Sequence, residues 1–152
     1  MKKRIVSLLS AVILLFMGMP SYAHAAEMKD ATITKFDDGS CLEIVITECN
    51  TRASGSKSGQ KTISYKNSNG EVEWKAALSA SFTYTGSSAT CTSANCTVTT
   101  YSNDWYVVSK STTRSGNTAT TQLTMGEKYL GVTISKPSYT ITLSCDANGN
   151  LS

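Results

Sequence analysis

The sequence predicts an all-β protein, an antiparallel β-sandwich of about seven or eight strands. Three observations support this fold class. Serine and threonine account for 40 of the 127 residues from position 26 onward, runs that favour a helix are nearly absent, and several stretches alternate apolar with polar residues. Such alternation is typical of strands, because successive side chains point to opposite faces of a sheet.

The clearest strand signal is the stretch VEWKAALSASFTY, residues 72–84. Every even position in this stretch is apolar, and the odd positions are polar except for Ala77. Trp74 lies on the unbroken apolar face, so we expect it in the core.

Shorter alternations in LEIVITEC, TATTQLTM, YLGVTIS and SYTITLSC predict further strands, each with one apolar face. The residues on these faces are Leu42, Ile44 and Ile46; Ala119, Leu123 and Met125; Leu130, Val132 and Ile134; and Tyr139, Ile141, Leu143 and Cys145. We expect the apolar faces to point into one core.

Turn signals fall between the predicted strands. Asn69-Gly70 precedes the long strand, as expected for a tight hairpin turn with positive φ angles, and Gly86, Gly116 and Gly126 punctuate the rest. Strands at this spacing favour a sandwich, immunoglobulin-like or similar, or a small barrel. We favour the sandwich, because the inward faces mix large and small residues and show no ligand-cavity pattern.

The N-terminus has the features of a secretory signal peptide. Basic residues 2–4 precede an apolar stretch of about 15 residues, which is shorter than the ~20 needed to span a bilayer, and Ala23 and Ala25 form a cleavage site. Residues 1–25 are therefore predicted to be removed, so that the mature chain begins at Ala26. We expect a secreted protein without a stable membrane anchor, extracellular or, in a host with an outer membrane, periplasmic.

The charge balance and the missing histidine exclude several functions. Three of the 14 basic residues lie in the leader, which leaves 11 basic and 11 acidic residues in 26–152, so nucleic acid is not an expected partner. His24, the only histidine, also lies in the leader. Without imidazole there is no Ser-His-Asp or Cys-His pair and no histidine metal ligand. We therefore predict a non-enzyme without a cofactor.

A change of composition divides the mature chain. TRASGSKSGQK, residues 51–61, contains no large apolar residue and three basic ones. It predicts a flexible linker between an N-terminal segment, residues 26–50, and the sandwich domain, residues 62–152. The alternative is a processing site that frees the compact region from a pro-region, and both readings stay open.

The stretch ATCTSANCTVTTY raises the question of what its two cysteines do, since 26–152 holds five in all. In an exported protein the default is disulfide bonding. The spacings include no C-x₂-C pair, so neither a zinc site nor a thioredoxin-like redox pair is expected. We predict a disulfide framework and no metal.

Geometry narrows the disulfide pairings. Cys41 and Cys49 flank a predicted strand and would lie about 25 Å apart, whereas a disulfide needs Cα atoms within about 7 Å. Cys91 and Cys145 both have inward positions, and we predict a bridge between them that contributes about 4 kcal/mol. Cys96 would then bond Cys49 or Cys41, with Cys49 preferred. Cys41 would stay unpaired or link two copies in a homodimer.

Five stretches resemble a group of small secreted proteins from Gram-positive, clostridia-like bacteria. They are SGSKSGQKTISYKNSNGEVEW, FTYTGSSATCTSA, KSTTRSGNTAT, KYLGV and TLSCDANGNLS. The resemblance covers residues 54–152 and implies export, with Cys91 and Cys145 in the shared framework. It implies no activity and no functional residue.

Two binding functions lead the hypotheses. The first is a secreted, non-enzymatic module that is surface-associated or binds an extracellular partner, protein or glycan. The second is a carbohydrate-binding module, with Tyr101, Tyr106 and Tyr129 as outward rings for ligand contact. Trp105 shares its parity with Val107, so we expect it in the core.

Two further hypotheses, an enzyme and a toxin-like effector, have weaker support from the sequence. A carboxylate-based glycosidase would use Glu71 and Glu73, about 7 Å apart on one strand face, yet such pairs are common on the solvent side of a strand. A secreted antimicrobial or toxin-like effector would use 26–50 as a pro-region, but residues 26–152 lack the net positive charge of a membrane-disrupting peptide.

Overall fold

A computed structural model of the protein describes residues 26–49 and 55–152. The predicted signal peptide and its cleavage after Ala25 lie outside these residues. The described residues form nine strands and no helix, so none of them forms a helix that could cross a membrane. The strands are β1 (Ala26–Lys35), β2 (Cys41–Cys49), β3 (Ser56–Lys66), β4 (Val72–Tyr84), β5 (Ala89–Thr100), β6 (Trp105–Ser115), β7 (Thr118–Tyr129), β8 (Val132–Ser135) and β9 (Ser138–Ser144).

The strands form two antiparallel sheets, which confirms the predicted all-β class. The first sheet has the order β1-β2-β3-β4-β5. In the second sheet β7 is central, with β6 on one edge and both β8 and β9 on the other. The described part of the chain therefore holds nine strands where the sequence predicted seven or eight.

The core lies between the two sheets, in a sandwich-like arrangement. Along β4 the even positions from Trp74 to Phe82 are buried as predicted, whereas Val72 at the start of the strand is exposed and Tyr84 at its end is half-buried. Leu123 of β7 and Leu143 of β9 belong to the same buried cluster. Strand β4 is paired on both sides, with β3 and with β5.

The outward face of the second sheet is made almost entirely of hydroxyl side chains. Cross-strand register places them in four rows of three on β6, β7 and β9, which we call the hydroxyl face. Its residues are Ser109, Thr124 and Ser138; Ser111, Gln122 and Thr140; Thr113, Thr120 and Thr142; and Ser115, Thr118 and Ser144. This face carries no charged residue.

The prediction that the apolar face of the stretch YLGVTIS points into the core is wrong. Leu130, Val132 and Ile134 are exposed, not buried. Their strand, β8, is only four residues long and packs mainly on β7, so no second layer covers it.

The N-terminal segment is part of the first sheet, and the linker prediction is wrong over residues 56–61. Those six residues begin β3, and β2 pairs with β3 without interruption from Cys41 opposite Lys66 to Cys49 opposite Ser58. Ile46 of β2 is buried in the common core. Cleavage between β2 and β3 would therefore detach a paired edge from the sheet.

The predicted bridge between Cys49 and Cys96 is wrong for this fold. Their strands, β2 and β5, are separated by β3 and β4, which puts them three strand spacings, about 14 Å, apart. That is twice the reach of a disulfide. Cys41 also lies on β2, so at least three strand spacings separate it from Cys96.

Cys91 and Cys145 approach the same turn between β6 and β7. The backbone N–H of Cys91 donates to the carbonyl of Gly116 at 2.7 Å, and that of Cys145 donates to the carbonyl of Asn117 at 3.0 Å. Burial raises the pKa of both thiols. The cysteines are not bonded to one another in this structure, and their pairing stays a prediction.

A charged cluster joins the two ends of the described chain. Glu48 forms ion pairs with Lys29 at 2.9 Å and with Lys57 at 2.5 Å, and Lys29 also donates to the carbonyl of Leu151 at 2.9 Å. Although burial opposes it, hydrogen bonding to the two lysines lowers the pKa of Glu48. The cavity beside this cluster, of about 320 Å³, is lined mainly by its charged groups and Asn150, so we interpret it as a structural junction.

We expect Glu48→Gln to lower the free energy of unfolding by about 1–2 kcal/mol, between the values of exposed and buried ion pairs. Glu43→Gln is the matched control, because Glu43 has a single ion pair, with Lys66, and should lose less. The pKa of Glu48 is lowered on folding, so its contribution is present above the unfolded pKa of about 4.3 and is lost as the pH falls through the folded value. Urea titrations at neutral pH measure the free energy of unfolding of both variants. An equal decrease in the two would contradict a special role for Glu48.

Candidate ligand-binding groove

A groove of about 160 Å³ opens at the end of the molecule where β4 begins and the β7–β8 hairpin leaves the sheet. We call it the hairpin groove. Its lining is aromatic and acidic, with few other side chains. The lining residues are Tyr65, Asn67, Glu73, Asp104, Trp105, Glu127, Lys128, Tyr129 and Ile134.

Backbone hydrogen bonds fix the segments that form the groove. The carbonyl of Glu73 accepts the N–H groups of Tyr101 at 2.8 Å and Ser102 at 3.2 Å, which ties the β5–β6 connection to the start of β4. The carbonyl of Asp104 accepts the N–H of Lys128 at 2.7 Å, which ties the same connection to β7. The groove is therefore built on paired backbone and not on a free loop.

An aromatic cluster lies beneath the groove. The ring of Trp105 is 5.1 Å from that of Tyr65 and 6.1 Å from that of Trp74, between centroids. Tyr139 packs against Trp74 at 5.0 Å, and burial raises the pKa of its phenol to about 12. Trp74 and Trp105 are buried as predicted. Rings at these separations give the groove a rigid floor.

The groove is lined by three acidic side chains and one basic one, Lys128, so its net charge is negative. Glu73 accepts a hydrogen bond from Asn67 at 2.7 Å, and none of Glu73, Asp104 and Glu127 forms an ion pair within residues 26–49 and 55–152. Burial raises the pKa of Glu127, and the charges of Asp104, Asp38 and Glu73 raise it further. These four carboxylates therefore share one end of the molecule.

Lys128 lines the groove as well, but its ammonium group is directed to a ring. The Nζ atom lies 4.6 Å from the centroid of Tyr106. This cation–π contact accounts for the charge of Lys128 without a carboxylate partner.

The hairpin beside the groove presents four large apolar side chains to solvent. Tyr129 is 66% exposed, Leu130 87%, Val132 66% and Ile134 59%. The two-residue turn has positive φ at both positions, 51° at Leu130 and 81° at Gly131, as a type I′ turn requires. A leucine in this conformation costs about 1–2 kcal/mol, and strained residues cluster at functional sites.

Of the three tyrosines predicted to contact a ligand, the structure brings only Tyr129 to the groove. Tyr101 is 62% exposed but does not line it. Tyr106 is half-buried, its hydroxyl lies 2.8 Å from that of Thr133, and its ring packs so closely on Gly126 that no side chain would fit there. Tyr106 therefore supports the hairpin.

Sequence reasoning missed most of the groove. Tyr65, Asp104, Glu127 and Ile134 come from four separate segments and share no local motif. Only the exposed pair Tyr129 and Leu130 carries a usable signal, since KYLGV places a Leu-Gly turn where Asn-Gly is usual.

The carboxylates proposed for a glycosidase have a structural partner. The Nδ2 group of Asn67 donates to Glu71 at 3.1 Å and to Glu73 at 2.7 Å. The Oδ1 atom of Asn67 accepts the N–H groups of Asn69 and Glu71, both at 3.0 Å. Glu71 precedes β4 and Glu73 lies at its start, so Asn67 ties both carboxylates to the β3–β4 turn. No group of three or more acidic, cysteine or histidine side chains in the described ranges is placed to hold a metal ion.

We expect Leu130→Asn to raise the free energy of unfolding by about 0.5–1 kcal/mol, because asparagine tolerates positive φ and little apolar burial is lost. Equilibrium urea unfolding measures the change. Val132→Asn is the control: Val132 is also 66% exposed but has extended backbone, where asparagine is disfavoured. A loss of stability in Leu130→Asn would show that the leucine is kept for folding.

Comparison with known proteins adds no relative to this description. No protein-family model, no curated protein and no solved structure matches the chain. The groove and the hairpin are therefore the basis for a proposal about function.

Proposed function

We propose that the protein is an exported, non-catalytic β-sandwich module that binds an extracellular partner through the hairpin groove and the β7–β8 hairpin. One observation carries this proposal: four largely exposed apolar side chains lie in six consecutive residues beside an aromatic, acidic groove. Contiguous exposed apolar surface marks interaction sites on soluble proteins. Here it adjoins a cavity with aromatic walls.

The conformation of Leu130 supports a binding role. Glycine or asparagine at this position would form the same turn with less strain. A residue that costs folding energy and is almost fully exposed is explained by a contact made outside the chain.

Binding accounts for the groove better than hydrolysis does. Glu71 and Glu73 both accept hydrogen bonds from Asn67, so their proximity is explained by the β3–β4 turn. Asp104 and Glu127 form no ion pair with any of the described side chains. We therefore assign electrostatic attraction of a ligand to them, and no step of catalysis.

A saccharide is the second candidate for the ligand. Tyr65, Trp105 and Tyr129 line the groove, and aromatic rings are the stacking surfaces that sugar rings prefer. Asn67 and Glu73 would supply the few polar groups that orient such a ligand.

Export and a single disulfide bond, between Cys91 and Cys145, complete the proposal. Oxidation of the two thiols of Cys91 and Cys145 by an exported thiol–disulfide oxidant would release two hydrogens to it and join the sheets near the β6–β7 turn. The approach of both backbones to Gly116 and Asn117 supports this pair over the other pairs. Cys41 would then keep a free thiol at the start of β2, and a disulfide between two copies through this thiol stays an alternative.

Ligand binding is tested by applying the labelled protein to two arrays, one of immobilised polysaccharides and one of synthetic peptides. We expect a signal on one array that Tyr129→Ser abolishes, because Tyr129 is part of the groove wall. Tyr101→Ser is the matched control, since Tyr101 is about as exposed but lies outside the groove. No signal on either array, or equal loss in both variants, would refute the proposed site.

The proposed disulfide bond is tested by measuring the intact mass of the exported protein after denaturation and alkylation of its thiols without a reductant. We expect a chain that begins at Ala26, is two hydrogens light and takes three alkyl groups. Reduction before alkylation should raise the number to five. Five alkyl groups without reduction would rule out any disulfide, and a doubled mass would place a bridge between copies.

A further inference from the structure

We propose that the partner of the hairpin is a basic, extended peptide segment of another extracellular protein, which adds as a strand to the free edge of β8. This inference rests on the proposed function and names the chemistry of its ligand. Three features of the described residues carry it: the edge, the apolar side chains and the uncompensated charge.

The edge of β8 is open. Within the described residues β8 pairs only with β7, through Tyr129 opposite Val132, Lys128 opposite Thr133 and Glu127 opposite Ser135. Strand β9 pairs with an earlier part of β7 and leaves the outer edge of β8 uncovered. An extended peptide gains main-chain hydrogen bonds by adding to such an edge.

The two end strands of the first sheet are less suited to such an addition. On β5, Arg114 donates to the carbonyl of Thr92 and Lys110 donates to the carbonyl of Cys96 at 2.6 Å, so side chains from β6 occupy part of that edge. Strand β1 has a bulge between Met28 and Asp30, a feature that disrupts edge pairing. Strand β8 also has an irregularity in its pairing, opposite Glu127 and Lys128, but no side chain of the described residues occupies its outer edge at Val132 and Thr133.

The apolar side chains on the hairpin select the kind of ligand. Leu130, Val132 and Ile134 are aliphatic, and aliphatic surface suits apolar peptide side chains better than the ring faces of sugars, which stack on aromatic groups. A peptide strand presents alternate side chains to one face, so every second residue would meet this surface. The ligand is thus expected to alternate apolar with polar residues.

The charge at this end of the molecule selects the sign of the polar residues. Glu73, Asp104 and Glu127 line the groove beside β8 without an ion pair in the described ranges, and Asp38 is near enough to raise the pKa of Glu127 further. Lysine and arginine side chains complement this surface, and acidic ones would be repelled. The same charge makes an anionic lipid surface an unsuitable partner.

The test uses an eight-residue fluorescent peptide that alternates lysine with valine, titrated with the full mature chain and followed by anisotropy. We expect saturable binding that weakens as salt is added. Three control peptides isolate the three features: glutamate replaces lysine, serine replaces valine, or alternate backbone nitrogens are methylated so that edge hydrogen bonds cannot form. Each control should bind at least tenfold more weakly.

Protein variants test the site from the other side. Leu130→Asn should weaken binding about tenfold, the effect of losing one largely buried leucine contact, while the free energy of unfolding rises. Glu127→Gln should weaken binding and reduce its salt dependence. Ile33→Asn is the matched control, because Ile33 is 57% exposed on β1, an end strand of the other sheet, and does not line the groove.

The outcomes separate this inference from the function on which it rests. Equal binding of the methylated peptide would rule out strand addition, and equal binding of the acidic peptide would rule out charge selection. Retention on a polysaccharide, lost in Tyr129→Ser, with no peptide binding would overturn the peptide partner and leave a binding module. Failure of every peptide and every polysaccharide would overturn both.

Discussion

The alternation of β4 is the constraint on which the rest of the structure depends. Trp74, Leu78 and Phe82 face the second sheet from a strand that is paired on both edges. A slip of one residue would turn these side chains to solvent and bring Lys75 and Ser79 inside. Burying such groups without partners costs several kcal/mol. The central strands therefore have one acceptable register, and that register fixes where the groove begins.

The candidate site joins a rigid floor to an uncovered wall. Tilted ring contacts and backbone hydrogen bonds hold Trp105 and the β5–β6 connection in place, so a ligand need not order them. The wall formed by Tyr129 and Ile134 belongs to a hairpin without a second layer. This division lets the core stay closed while apolar surface remains accessible.

The sequence predicts the fold better than it predicts the site. Alternation identified the buried faces of β4, β7 and β9. Trp105 is buried as predicted, although Val107, whose parity it shares, is exposed. The same pattern misplaced Val132, because alternation shows that a residue shares a face but not that a second sheet covers the face. The order of strands in a sheet is not encoded in local sequence either, so the distance between Cys49 and Cys96 could not be predicted. The groove gathers side chains from well-separated segments, and only Tyr129 was predicted to contact a ligand.

The hydroxyl face bears on how the protein stays in solution. Residues 26–152 carry equal numbers of basic and acidic side chains, so repulsion between molecules is weak near neutral pH. Serine and threonine hydroxyls hold water without ionising at any ordinary pH. Hydration of this face is therefore indifferent to acidity and to salt. Colloidal stability would then come from bound water and not from net charge.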